Sequence, residues 1–202
     1  MIKIIDYGLG NIHAFANTYK KLNIPCSIAS TANDLETASK IILPGVGSFD
    51  YAMDKLNNSG MRNCLDEQVT VRKKPVLGIC VGMQMMASNS DEGTAQGLGW
   101  IDASVKKFDA NSNSSMLLPH MGWNDITPIG NSDLFSEIES PKFYFLHSYY
   151  FCPNRPDDTL ATTEYFGKFT SAVSSNNIYG VQFHPEKSHH WGTQLLKNFA
   201  EI

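Results

Sequence analysis

Short apolar segments that alternate with amphipathic segments occupy the first half of the chain, and this alternation limits the folds open to it. The predicted strands are Lys3–Asp6, Cys26–Ala29, Lys40–Leu43 and Pro75–Ile79. The predicted helices run from Asn11, as the cap, to about Leu22, over Asp34–Ala38, through Ala52–Leu56 and over Met61–Val71. Strands separated by helices pair in parallel, because each helix returns the chain to the edge where the previous strand began. The order therefore predicts an α/β fold with helices on both faces of a sheet.

From about Trp100 onward the pattern changes to strand segments separated by turn residues, which predicts a mixed rather than a purely parallel sheet. The predicted strands are Ala103–Phe108, Lys142–Leu146, Thr159–Thr163, Thr170–Ser174 and Ile178–Phe183. A last helix is predicted over Trp191–Ala200. The polar loop Asp109–Ser115 is too short to separate two domains, so we expect residues 1–202 to form a single domain.

The charge balance argues against binding to nucleic acids or anionic membranes. The 202 residues include 16 Lys and Arg against 20 Asp and Glu, a formal net charge of −4, which leaves no excess of basic side chains for phosphate groups. Asp6 interrupts the N-terminal apolar run too early for a signal peptide. Pro75–Ala87 falls short of the roughly 20 residues that a membrane span needs. We therefore expect no membrane segment and no export signal.

The four cysteines are far apart in the sequence. They are Cys26, Cys64, Cys80 and Cys152. None belongs to a CxxC pair, so zinc-finger spacing is absent, and a chain of this length does not need a disulfide scaffold. We expect a reduced, cytoplasmic protein without a metal ion or another cofactor.

The segment Gly78–Gly82 carries the most specific chemical signal, because Cys80 stands between two glycines where an apolar strand meets an amphipathic helix. A sharp strand-to-helix turn would expose Cys80 in a strained conformation, and the glycines leave room where side chains would collide. The positive end of the following helix favours a thiolate at this position. The alternative is an inert cysteine buried at the end of a strand.

A cysteine nucleophile needs a base, and His184 is the candidate among six histidines. It ends the apolar segment Gly180–Phe183, and the following Pro185 favours an extended backbone at His184. Side chains two positions apart in an extended segment point the same way, so Glu186 can hold one imidazole nitrogen while the other faces Cys80. A structural histidine and a metal site are the alternatives. The metal ligands would be His184, Glu186, His189 and His190, whose spacing matches no known site.

Two glycine-rich turns follow predicted strands. In Leu43–Ser48 the backbone N–H groups can converge on a developing oxyanion. The competing interpretation, a phosphate-binding loop, fails because no Gly-Lys-Ser/Thr follows. The turn Gly8-Leu-Gly10 resembles a dinucleotide-binding fingerprint only in part, because His13 occupies the position of the third glycine.

Three motifs in this order, PGVG at 44–47, GICVGMQ at 78–84 and YGVQFHPE at 179–186, resemble those of class I, or triad-type, glutamine amidotransferases. Four further segments narrow the resemblance to the glutaminase subunits of imidazole glycerol phosphate synthase, the HisH family, over Met1–Ile202. They are IIDYGLGN, LPHMGWN, YFLHSY and LLKNF. The resemblance implies a flavodoxin-like three-layer sandwich with a mixed central sheet and a nucleophile elbow.

The resemblance also assigns roles to residues. Cys80 would attack the carboxamide of glutamine, His184 would move the proton, and Glu186 would orient His184. The implied oxyanion hole consists of the N–H groups of Val46, Gly47 and Val81. The implied glutamine-binding residues are Gly47, Gln84, His147, Ser148 and Tyr149. Ordinary strand packing is the alternative for the last three.

A glutaminase of this size implies a partner, because ammonia released into neutral water becomes ammonium, which is no nucleophile. In the resembled family the partner is a (β/α)₈ barrel cyclase that forms a heterodimer with the glutaminase in histidine biosynthesis. Met121, Trp123 and Tyr144 are candidates either for that interface or for the core.

One segment differs from the family's typical sequence and leaves the biosynthetic pathway undecided. After Ser188 the chain continues with His189-His-Trp-Gly192, where the family's typical members have small residues. This bulkier version is similar to paralogues that supply ammonia to sugar amidotransferases in bacterial surface-polysaccharide synthesis. More distant alternatives are a cysteine peptidase, a γ-glutamyl hydrolase and a regulatory binding module with a degenerate site.

Overall fold

The structure, a computed structural model, describes residues 1–109 and 117–202. Apart from Asp109, the predicted polar loop Asp109–Ser115 lies outside the described residues. The strands are β1 (Ile2–Ile5), β2 (Cys26–Ala29), β3 (Lys40–Gly45), β4 (Val76–Cys80), β5 (Asn89–Ser90), β6 (Ala103–Lys107), β7 (His120–Asp125), β8 (Thr127–Pro128), β9 (Lys142–His147), β10 (Tyr149–Pro153), β11 (Thr159–Glu164), β12 (Lys168–Ser175) and β13 (Ile178–Val181). The α-helices are α1 (Ile12–Lys21), α2 (Ala32–Glu36), α3 (Phe49–Asn58), α4 (Arg62–Asp66), α5 (Val81–Gln84) and α6 (His189–Glu201).

Within the described residues, eleven strands form one mixed sheet. Its main order is β2-β1-β3-β4-β13-β12-β10-β6-β5, and β11 and β8 branch from β12. The pairs from β2 to β13 are parallel, whereas β13, β12, β10 and β6 pair antiparallel. The predicted change from a parallel to a mixed sheet is therefore confirmed.

The helices cover both faces of the sheet. The connection from β1 through α1 moves toward one edge, and the connections through α2, α3 and α4 move back across β1. Because parallel crossovers are right-handed, these opposite directions place α1 and the other three helices on opposite faces. The contacts agree, since α1 packs on α6 and α2 packs on α4. The predicted three-layer α/β architecture is confirmed. None of the helices in the described ranges is long and apolar enough to cross a membrane.

Several element ends differ from their predicted positions for local reasons. Thr31 accepts a hydrogen bond from the Asp34 N–H, and the Asp34 carboxylate accepts from the Thr31 N–H, so α2 begins before Asp34. Asn11 precedes α1 as predicted but makes no side-chain capping bond. The helix predicted over Met61–Val71 is divided into α4 and a π-helical turn at Glu67–Val71.

Near the C-terminus, one predicted strand is shorter and one predicted helix is longer. The strand β13 ends at Val181 rather than at Phe183, and α6 begins two residues earlier than predicted. The chain leaves β13 after Val181, so His184 lies beyond the carboxyl end of this central strand.

A separate two-stranded antiparallel sheet of β7 and β9 was not predicted. Its register alternates between two faces: His120 lies opposite His147 on the buried face, and Met121 lies opposite Leu146 on the exposed face. On the buried face, Phe143 stacks on Phe183, with ring centroids 4.0 Å apart. This sheet therefore joins the hydrophobic core to the segment that carries His184.

Candidate active site

Cys80 occupies the sharp turn between β4 and α5. Its backbone has φ 56° and ψ −114°, a conformation that side chains rarely adopt. A Cβ atom at Gly82 would lie 2.0 Å from the Leu43 carbonyl oxygen, and one at Gly78 would lie 2.6 Å from Met86 Cε. Gly82 thus allows the elbow to pack against β3, and Gly78 allows the segment after Cys80 to fold back onto β4. Val81 begins α5, so its N–H has no partner within the helix and is free to donate.

His184 lies between Glu186 and Cys80. Its Nδ1 is 2.8 Å from Glu186 Oε1, and both side chains are almost completely buried. Cys80 is the other group that interacts with the imidazole and favours its protonated form. The predicted contact between His184 and Glu186 is present, but its reason differs: the backbone is extended at His184 alone, and Pro185–Lys187 forms a 3-10 helical turn that brings the Glu186 carboxylate to the imidazole.

The charge state of His184 reflects competing effects. Burial by itself lowers the pKa of His184, but the hydrogen bonds and negative charges of Cys80 and Glu186 outweigh it and raise the pKa to about 10. The imidazolium form is therefore favoured at neutral pH, as a base that has taken the proton of a thiol requires. Among the described residues, no group of three or more His, Cys, Asp or Glu side chains is arranged to hold a metal ion.

A cavity of about 310 Å³ opens beside Cys80. It is lined by Val46, Gly47, Cys80, Val81, Gln84, Glu92, Pro119, Leu146, His147, Ser148, Tyr149, His184 and Lys187. The residues expected to bind glutamine and to form the oxyanion hole all border this cavity. Pro119, Leu146, Lys187 and Glu92 were not predicted.

The glycine-rich turn after β3 packs directly against the elbow. A Cβ atom at Gly45 would lie 2.2 Å from the Gly82 nitrogen, and Gly47 has a positive φ of 85°. The Tyr7 hydroxyl donates to the Pro44 carbonyl at 2.7 Å. Burial and the nearby Cys80 raise the pKa of Tyr7 well above its usual value, so this donor stays protonated.

Among the cavity residues that were not predicted, Glu92 is the one best suited to bind a charged group of a ligand. Its Oε2 accepts from the Phe49 N–H at the start of α3, at 2.8 Å. Asp50 holds the same loop by accepting from the N–H groups of Thr94 and Ala95 at 2.9 and 3.0 Å. Glu92 is thus a fixed carboxylate at the cavity wall. The sequence holds no motif for it, because its position depends on a contact across 43 residues.

Two expected ligand-binding side chains use their polar atoms inside the protein. His147 Nδ1 is 2.8 Å from the Tyr149 carbonyl oxygen, and its Nε2 is 3.0 Å from His120 Nδ1. Gln84 donates through Nε2 to the same carbonyl and to Gln182 Oε1, each at 3.0 Å. Both residues border the cavity, but their ring and amide nitrogens shape its wall instead of pointing at a ligand.

The chain is similar over its whole length to proteins of one family. The family model for glutamine amidotransferase class-I matches residues 3–202. The chain is 56% identical over 204 residues to the imidazole glycerol phosphate synthase subunit HisH of Bdellovibrio bacteriovorus, covering 100% of both chains. It is 53% identical to the subunit of that name from Leptospira interrogans, again over 100% of both. A crystal structure of a glutamine amidotransferase shares the fold, with a TM-score of 0.76 at 17% identity over 100% of this chain and 99% of the other.

Proposed function

The chain belongs to the class I glutamine amidotransferases and, within them, to the HisH family, and from this premise we propose that it is the glutaminase subunit of an imidazole glycerol phosphate synthase. The observation that carries the proposal is the Cys80–His184–Glu186 arrangement at one end of a cavity. We further propose that residues 1–202 act as a single amidotransferase domain, working in the cytoplasm, where Cys80 stays reduced.

The reaction divides into two acyl transfers. Sγ of Cys80 attacks the side-chain carboxamide carbon of glutamine after His184 has taken the thiol proton, and the carbonyl oxygen becomes an oxyanion. The donors to that oxyanion are the N–H groups of Val46, Gly47 and Val81. When the C–N bond breaks, His184 returns the proton to the leaving nitrogen, which releases ammonia and leaves a glutamyl thioester. Water, deprotonated by His184, then hydrolyses the thioester to glutamate and restores Cys80.

Glutamine recognition follows from charge and position at the cavity wall. The Glu92 carboxylate, held by the Phe49 N–H, is suited to the α-ammonium group of glutamine. Ser148 and Tyr149 border the same space, and the Tyr149 carbonyl is held by Gln84 and His147. Because the cavity is also bounded by Cys80 and His184, these contacts would place the carboxamide end of the substrate against Cys80.

The exposed face of the β7–β9 sheet is the proposed contact with a (β/α)₈ cyclase partner in a heterodimer. Met121 is 64% exposed and Trp123 is 40% exposed, which removes the core-packing alternative for Met121. Leu146, opposite Met121, is exposed and also borders the cavity. An apolar face that continues into the cavity wall would let a docked partner receive ammonia without passing it through water.

Glutamate release decides between this function and the alternatives. We expect the chain with its cyclase partner and the phosphoribulosyl acceptor to convert glutamine to glutamate and to form imidazole glycerol phosphate in equal amounts. If a sugar amidotransferase stimulates glutamate release and the cyclase does not, the surface-polysaccharide paralogue is the correct assignment. No glutamate release with either partner would overturn the proposal.

A further inference from the structure

Gln182 is completely buried beside the nucleophile, and none of the expected roles includes it. Its Nε2 lies 3.8 Å from Sγ of Cys80. Its own backbone N–H donates to the Ser171 carbonyl, so its main chain is satisfied without the side chain. The exposed fraction of Gln182 is 0%, and a buried amide without hydrogen bonds is costly. The contact with Sγ therefore supplies the buried Nε2 of Gln182 with an acceptor.

The hydrogen bonds determine which end of the Gln182 amide faces the sulfur. The Tyr149 carbonyl can only accept, so the Gln84 group 3.0 Å from it is Nε2. That same Nε2 is 3.0 Å from Gln182, which must present Oε1 to it. The Gln182 Nε2 is then left facing Cys80 and donates toward Sγ.

The Tyr149 carbonyl that sets this orientation is itself held by a second row of donors. Because it accepts from His147 Nδ1, the neutral His147 offers Nε2 as an acceptor to His120 Nδ1–H. His120 Nε2 in turn accepts from Asn124, 3.2 Å away, whose amide also donates to the Glu164 carbonyl. This row of hydrogen bonds holds the Tyr149 carbonyl in place, and that carbonyl orients the Gln84–Gln182 pair.

We propose that Gln182 is a further catalytic residue, whose buried amide N–H stabilises the thiolate of Cys80 before it attacks the substrate. The inference rests on the proposed role of Cys80 as nucleophile. A hydrogen bond to an ion is stronger than one to a neutral group, so the N–H favours the thiolate over the thiol. The Leu146 carbonyl, 3.8 Å from Sγ, has the opposite preference because it can accept only from the thiol. The Gln182 N–H therefore offsets the preference of the Leu146 carbonyl for the thiol.

The test measures the rate of Cys80 alkylation by iodoacetamide from pH 5 to pH 10, followed by mass spectrometry of the peptide that contains Cys80. Gln182→Met keeps the side-chain length and removes the donor. We expect the pH of half-maximal alkylation to rise by about one to two units, a 10- to 100-fold smaller thiolate fraction at a given pH. Gln182→Asn, whose amide is one methylene shorter, should give a smaller rise in the same direction and covers the case in which Gln182→Met does not fold.

Gln68→Met is the matched control. Gln68 is also buried, and its Nε2 lies 3.9 Å from the sulfur of Cys64, which does not border the cavity. The control loses a buried amide beside a cysteine and should keep the wild-type alkylation profile of Cys80. A folded Gln182 variant with the wild-type profile would overturn the inference and leave the proposed function intact. Glutaminase activity that survives Cys80→Ala would instead overturn the proposed function.

Discussion

At the scale of single residues, the charge on His184 links the stability of the site to its chemistry. Its pKa in the folded protein, about 10, lies above the value of about 6.5 in an unfolded chain. A raised pKa means that the folded state binds the proton more tightly, so this stabilisation is complete below pH 6.5 and is lost as the pH rises toward 10. In the proposed mechanism the same proton departs with ammonia.

Replacing His184 and Glu186 one at a time separates proton transfer from orientation of the imidazole. We expect His184→Asn to slow thioester formation by roughly 10² to 10⁴-fold, because the general base is lost. Glu186→Gln should be milder and should move the alkaline limb of kcat/KM to lower pH, because a negative charge that raises the pKa of His184 is removed. Rapid-quench detection of the thioester and a pH profile measure both effects. A Glu186→Gln variant slower than His184→Asn contradicts these roles.

Cys80→Ala tests the nucleophile itself. In the assembled complex it should abolish glutamine-dependent product formation and leave ammonia-dependent synthesis unchanged, because the partner and not this chain consumes ammonia. The assay compares glutamine with a high concentration of ammonium salt at alkaline pH, where free ammonia is abundant. Retained glutamine-dependent activity would show that Cys80 is not the nucleophile.

At the scale of secondary-structure elements, the pairing of β7 with β9 creates the buried pair His120 and His147. Burial lowers the pKa of His120 to about 4 and that of His147 to about 3. Both rings are therefore neutral at pH 7, and the hydrogen bond between them needs that state. Since the unfolded chain binds these protons near pH 6.5, stability must fall as the pH decreases from about 6.5 toward 4.

We expect the free energy of unfolding to fall over that window by roughly 1 kcal/mol per pH unit for each of the two histidines. His120→Phe keeps the stacking on Phe145 and Tyr165 but removes one titrating group, so its stability should depend less steeply on pH. At pH 7 it should be less stable by about 1–3 kcal/mol, because His147 Nε2 loses its donor. Urea unfolding at several pH values measures both.

The control for this experiment is His13→Gln, at an exposed position on α1. It removes a histidine without breaking a buried hydrogen bond and should keep the wild-type slope. An unchanged slope in His120→Phe would contradict the assignment of acid sensitivity to the β7–β9 pair.

At the scale of the whole molecule, the glycine-rich turn after β3 connects the active site to the surface. Val46 and Gly47 are exposed at the cavity mouth, and the peptide between them can rotate because Gly47 has no Cβ. The neighbouring turn Gly8–Asn11 supports it by packing, since Gly10 lies against Pro44, and Tyr7 donates a hydrogen bond to the Pro44 carbonyl.

We expect glutamate release to be slow for the chain alone and fast with the cyclase partner and a bound acceptor analogue. One oxyanion donor contributes about 3–4 kcal/mol, or 10²- to 10³-fold in rate, so rotation of one peptide suffices to control turnover. Met121→Glu should abolish the stimulation by placing a charge on the apolar face. Val71→Glu, at a similarly exposed apolar position outside that face, should keep it. Equal rates under all conditions would rule out activation by the partner.

The residues His189–Gly192, which differ from the small residues typical of the family, have contacts in the structure that the sequence does not predict. The His189 ring stacks on the Trp123 ring with centroids 5.1 Å apart, and the centroid of the Trp191 ring lies 6.2 Å from that of Trp123. The bulkier residues therefore adjoin the proposed docking face. In the proposed complex they would contact the partner rather than the reacting atoms at Cys80.

The sequence by itself determined the parallel half of the sheet, the elbow at Cys80 and the His184–Glu186 pair. Each depends on neighbours in the chain: strand and helix periods, two glycines around a turn, and a side-chain spacing of two beside Pro185. Tertiary structure alone decided that Gln182 donates to Cys80, that Glu92 reaches the cavity and that His120 pairs with His147. These contacts join residues 27 to 102 positions apart, so they depend on strand order, register and buried hydrogen-bond pairing, which no local pattern encodes.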